Sequence, residues 1–192
     1  MVKTENFERV EVASAQDLRS WLLENHRQEN SVWLVTYKKS IPEKYIAREA
    51  VLDELLSFGW IDGIRRKLDD HKTMQLISPR KAQHWAQSYK ERAQKLIASG
   101  QMHAAGMQAI ETSKANGLWN FMDDVDQLIV PPDLEQALLQ KPQAHAFFAA
   151  INPSSKRFVL RWLKLAKTQK TRNSRILKLV ELLAKGEKLP GS

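Results

Sequence analysis

The chain has 192 residues, 43% of them hydrophobic and 27% charged, with 30 lysines and arginines against 22 acids for a formal charge of +8. That balance fits one large or two small globular domains and excludes a disordered, collagenous or multi-span membrane chain. The absence of cysteine excludes disulfides, thiol nucleophiles and cysteine-ligated zinc or iron–sulfur centres.

The opening MVKTENFERVEV is mixed in charge and lacks the apolar stretch of a signal peptide. No run reaches the ~18–20 apolar residues of a spanning helix, so no transmembrane segment and a cytoplasmic location are expected. From Asp17 to Arg27, Leu18, Trp21, Leu22 and Asn25 recur at i, i+3, i+4 and i+7, which predicts a helix. Ser31 to Lys38 (SVWLVTYK) is β-branched and aromatic and predicts a strand. Ile41-Pro42 breaks the chain. A helix follows over 47–58, with Ala47, Val51, Leu55 and Phe58 on one stripe and Gly59 as its stop.

Trp60 to Leu68 and Thr73 to Ser78 read as a hairpin around the polar turn 69–72. With the 31–38 strand it makes a small three-stranded antiparallel sheet, which needs helices over one face. From Arg80 the period is helical. One helix carries Trp85, Tyr89, Leu96 and Ile97 and stops at Gly100; a second runs over 103–116 to Gly117. The acidic, proline-bearing stretch 123–133 reads as a connection.

Beyond it, 134–139 and 144–151 are short helices separated by Pro142. Asn152-Pro153 starts a helix that runs to Lys167 with Phe158, Val159, Trp162 and Ala166 inward. Thr171 caps the last helix, which turns Ile176, Val180 and Leu183 inward and closes at Gly186. The expected fold class is α+β: a sheet-containing region over 1–122, the connection over 123–133, and an all-helical module over 134–192.

Several chemistries find no motif. The seven glycines form neither a dinucleotide fingerprint nor a phosphate loop, and there is no GxSxG elbow. The five histidines show no HxH or HxxxH spacing. No catalytic set, metal site or cofactor is therefore expected.

Charge is distributed unevenly. Residues 141–192 hold 12 lysines and arginines against two acids, whereas residues 1–140 are close to neutral. Arg157, Arg161 and Lys164 fall at i, i+4 and i+7, a stripe expected to attract an anionic partner: nucleic acid, lipid headgroups, an acidic protein or a small molecule.

In the hairpin, strict alternation puts Trp60, Asp62, Ile64, Arg66 and Leu68 on one face. Asp62 and Arg66 are then about 13 Å apart, too far to pair. A charge buried without a partner is costly, so each must find a mate among Asp69, Asp70 and Arg80 or line an opening. One reading is an ion-pair network that fixes the hairpin. The other is a ligand cleft rimmed by Trp60, Asp62, Arg66, Asp69, Arg80 and Trp85.

The order WLVTYKK (33–39), FGWIDG (58–63), RKLDD (66–70), SPR (78–80) with Trp85, and AGMQAIETSKANGLW (105–119) resembles the YdeI/OmpD-associated, bacteriocin-protection family. Residues 146–187 resemble that family's helical module, and the likeness runs from about Trp21 to Glu187. The chain differs in its short link KAQH (81–84) and in Tyr89, which stands where asparagine is more usual, so this helix is expected to add no polar group to a site. The resemblance implies bacteriocin or antimicrobial-peptide tolerance and brings no reaction, cofactor or catalytic set. A strongly basic surface repels a cationic peptide, so direct sequestration is disfavoured. The expected function is a non-enzymatic stress-tolerance protein that binds an anionic partner or ligand. The alternatives are a small-molecule enzyme or carrier using the hairpin cleft, and nucleic-acid binding through the basic helices.

Overall fold

The computed structural model describes residues 7–191, so part of the opening segment read for a leader lies outside them. It divides into two compact units, residues 1–120 and residues 121–192.

The first unit opens with β1 (Arg9–Glu11) and α1 (Ala15–Asn25), followed by β2 (Val32–Tyr37) and α2 (Arg48–Ser57). The hairpin is β3 (Trp60–Lys67) and β4 (Lys72–Pro79), followed by α3 (Gln87–Ala98) and α4 (Ala104–Ala115). The strand order is β1-β2-β4-β3, with β1 parallel to β2 and the other pairs antiparallel. The class is α+β as expected. The sheet, however, is four-stranded and mixed rather than three-stranded and antiparallel. β1 is three residues long, too short to show alternation, and it forms because the free edge of β2 supplies its partners (Trp33 N–H to the Glu8 carbonyl, Val12 N–H to that of Val35).

The helix-covered face of the sheet carries Val32, Leu34, Ile77 and Trp60, buried against Leu18 and Leu22 of α1 and Val51, Leu55 and Phe58 of the α2 segment. Ser14 caps α1 by accepting the Asp17 N–H, while the Asp17 carboxylate accepts the Ala13 N–H. α2 stops at Gly59, whose φ of +72° a residue with a side chain rarely adopts. A second core gathers Leu56, Trp85, Ala93, Leu96 and Ile110. Trp85 belongs to it from the segment ahead of α3, not from that helix, and Ile97 faces solvent.

The second unit comprises α5 (Asp123–Asp126), α6 (Pro132–Leu139), α7 (Pro142–Ala150), α8 (Pro153–Lys164) and α9 (Gln169–Ala184). Its core includes Val125, Leu134, Leu138, Phe148, Leu160, Leu163, Leu179 and Leu183. Prolines start α6 and α7 because their missing N–H is one that no helix would use there. Asn152 caps α8 as expected, accepting the Ser155 N–H at 2.8 Å. Within α8, Val159 is buried but Phe158 is half exposed, and Leu160 and Leu163 fill the core. The α9 cap lies three residues before the expected one: Thr168 accepts the Thr171 N–H at 3.1 Å.

Candidate functional site

The hairpin does not follow strict alternation. Asp62 lies opposite Ile77, and Arg65 opposite Gln75, so β3 spends one extra residue in a bulge. Gly63 sits in it, where an added Cβ would lie 3.1 Å from the Leu76 carbonyl oxygen. Past the bulge the faces exchange. Arg65 joins the Asp62 face and donates to Gln75 Oε1 at 3.0 Å, while Gln75 Nε2 donates to Asp62 at 3.1 Å. Arg66 turns to the opposite face and lies over the Trp33 ring at 5.3 Å.

Asp62 finds its main partner in α3, where the Tyr89 hydroxyl donates to it; Arg48 stands 4.0 Å away. Tyr89 is therefore a polar contributor, contrary to expectation. Burial and then the Asp62 carboxylate push its phenol up to about 12. Beside this pair the Arg80 guanidinium stacks on Trp85, 4.0 Å from the ring centre, and stands 5.7 Å from Tyr89. Burial pushes Arg80 down to about 10, only partly opposed by Tyr89 and Asp62. Arg80 Nε and Trp85 Nε1 have no hydrogen-bond partner among the described residues.

Of the six residues read as a cleft, the fold thus gathers Asp62, Arg80 and Trp85 and disperses the rest. Trp60 is buried, edge-on to Trp21, with its indole N–H on the His26 carbonyl. Asp69 shapes the hairpin turn by accepting the His71 and Lys72 N–H groups at 2.7 Å.

A cleft of about 480 Å³ opens instead between the α1 C-terminus, the α2–β3 corner, the end of β4 and the start of α4. Arg80 lines it, and the other polar groups are His26, Arg27, Lys81, His103, Gln108 and Thr112; among the described residues no aspartate or glutamate does. Gly106 seats α4 directly on the end of α2: a Cβ there would meet the Ser57 carbonyl oxygen at 2.4 Å. His103 caps α4, its Nδ1 accepting the Ala105 N–H at 3.2 Å. His26 and His103 face each other edge to face at 5.0 Å, with Phe58 stacked 4.6 Å behind His103.

The basic stripe of the second unit is interrupted. Arg157 and Arg161 are exposed, but Lys164 pairs with Asp124 at 2.5 Å and Arg172 forks onto Asp133 at 2.5 and 2.8 Å. Residues 121–192 hold 12 lysines and arginines against seven acids, a net of +5, because the stretch 123–133 carries its acids into the same unit. Burial raises the Asp124 carboxyl, but hydrogen bonds from Lys164 and the Val125 N–H outweigh it; Arg172 holds Asp133 below the usual range. An acid with a lowered folded pKa stabilises the fold above its unfolded pKa, and that contribution is lost as the pH falls through the folded value. Residues 121–192 are accordingly expected to exchange amide hydrogens faster at pH 3 than at pH 5, after correction for intrinsic rates. The Asp124→Asn/Asp133→Asn double variant should narrow the difference; an equal difference in both proteins overturns this account.

Among the described residues no group of three or more histidines, aspartates or glutamates is placed to hold a metal ion. No helix among them is long and apolar enough to cross a membrane.

Two family models match the chain. Residues 10–109 match a domain of unknown function, DUF8412, and residues 127–186 match the family described as bacteriocin-protection, YdeI or OmpD-associated. The likeness read over Trp21–Glu187 is thus divided between two families, the YdeI/OmpD-associated match covering the helical module. No curated protein and no solved structure matches the chain.

Proposed function

Since the chain belongs to the DUF8412 family through residues 10–109 and carries a YdeI/OmpD-associated module over 127–186, we propose that it is a bacteriocin-protection type of protein that binds a small anionic ligand in the cleft of its first unit. One observation carries this reading: Arg27, Arg80, Lys81 and two histidines line a single cleft that has no carboxylate in its wall. Cationic side chains are ordinarily balanced by acids when they are drawn out of water. Arg80 is desolvated against Trp85, its Nε has no partner, and Asp62 is occupied by Tyr89 and Gln75. An anion in the cleft supplies the missing countercharge. The volume lies within the range of small-molecule sites.

Calorimetric titration with sulfate tests it. Arg80→Leu, which keeps an aliphatic contact on Trp85, is expected to weaken binding by about ten- to a hundredfold, the worth of a hydrogen bond to a charged group. Arg27→Ala/Lys81→Ala, on the exposed rim, should cost several-fold, in the range of about 1 kcal/mol for exposed charges. Wild-type protein that ignores millimolar sulfate, or Arg80→Leu that binds it equally well, overturns the reading.

A further inference from the structure

The two histidines on the cleft wall differ in which nitrogen carries the hydrogen, and the difference has a consequence for binding. His26 Nδ1 lies 2.9 Å from the Leu22 carbonyl oxygen and 3.2 Å from that of Leu23. Carbonyl oxygens only accept, so Nδ1 carries the hydrogen and the neutral ring keeps its lone pair on Nε2. His103 is the reverse: its Nδ1 accepts the Ala105 N–H, so the hydrogen is on Nε2. Protonating His103 removes the acceptor that caps α4. Protonating His26 leaves its existing bond intact and turns Nε2 from an acceptor into a donor.

We propose that the cleft takes a dianionic oxyanion group, of the phosphate monoester or sulfate class, together with one proton that settles on His26 Nε2 while His103 stays neutral. This rests on the anion-binding reading of the same cleft. Without ligand, the groups gathered around the pair are cationic or neutral. Arg19 and Arg27 belong to the α1 segment, Arg80 and Lys81 to the end of β4, and Arg19 is bonded to the Glu54 carboxylate at 2.9 Å. His103 is itself held below the ordinary histidine range, first by burial and then by His26, Arg19 and Arg27. A bound dianion reverses that balance, and His26 is the ring that can accept the proton without a structural loss. From the α4 side the cleft adds Gln108 and Thr112, neutral groups that neither oppose nor replace the proton. Three fixed cations with no acid favour two negative charges on the ligand over one.

Sulfate is the probe because it remains a dianion from pH 5.5 to 8, so any pH dependence belongs to the protein. Calorimetry in buffers of different ionisation enthalpy should show uptake of close to one proton. Affinity should fall by up to about tenfold per pH unit above the histidine range. His26→Phe keeps a ring beside Phe58 and should abolish both the uptake and the pH slope. His103→Asn keeps a capping acceptor and should retain both. In the unsubstituted protein, the midpoint of the His26 ring-proton shift should rise with sulfate and that of His103 should not. Sulfate binding that is independent of pH, a slope retained in His26→Phe, or a midpoint that moves at His103 instead overturns the proposal and leaves the anion site standing. Absence of sulfate binding at every pH overturns the site itself.

Discussion

Gly106→Ala is expected to destabilise residues 1–120 by about 2–3 kcal/mol, the cost of overpacking a rigid contact. The sign is opposite to the usual one, since alanine in a helix interior is favoured over glycine by about 1 kcal/mol. What reverses it is the close seating of α4 on the end of α2. An added Cβ would lie 2.4 Å from the Ser57 carbonyl oxygen and 2.9 Å from that of Leu56. It would also lie 2.4 Å from Met102 Sδ, and that side chain can move aside. The two carbonyls cannot, because they belong to the last turn of α2, and Ser57 also accepts the His103 N–H. α4 must therefore shift away, carrying His103 and one wall of the cleft with it. A urea melt followed by tryptophan fluorescence checks this, as five of the six tryptophans lie in the first unit. An unchanged or raised midpoint contradicts the packing described.

Trp60→Ala should cost more, about 3–5 kcal/mol, as for other large-to-small changes in a closed core. Trp60 is 1% exposed and packs edge-on against Trp21 at 5.5 Å. Its N–H reaches the His26 carbonyl at 3.2 Å. Trp60→Phe should retain most of the packing and lose about 1 kcal/mol for the unmade hydrogen bond. The ordering of the two variants in the same urea melt separates packing from polar contact. Equal losses would mean that the hydrogen bond, not the ring volume, holds this corner. Either way Trp60, which does not line the cleft, supports it from behind through the backbone of His26.

The hairpin shows how far local reading reaches. Two strands and a turn at 69–72 are evident from alternation and polarity. Strict alternation puts Arg66 on the Asp62 face, some way along the strand; the bulge puts Arg65 on that face instead. The signal was present, since a glycine inside a strand pattern, here Gly63, often marks a bulge. Tyr89, standing where asparagine is more usual, gives no local sign of a polar role; only the position of Asp62 across the hairpin shows that its hydroxyl is used. The cleft itself had no linear signature. Its groups come from residues 26–27, 79–81 and 103–112, with the 58–59 corner as floor, and none of these segments forms a motif alone.

Period, capping and chain breaks are properties of neighbours within about four residues, so the α+β class, the hairpin, the Asn152 cap and the glycine stops at 59, 100, 117 and 186 can all be read from the linear order of residues. The likeness to the helical family module belongs to the same level, since it rests on contiguous residues. Charge pairing acts through space. Lys164 meets Asp124 across 40 residues and Arg172 meets Asp133 across 39, and these contacts reduce a basic tail to a partly neutralised one. Which cations form an ion pair, and which, like Arg80, line a cleft without one, is settled only by the three-dimensional arrangement. Coulomb energy depends on distance and local solvent exposure, neither of which a linear order of residues contains.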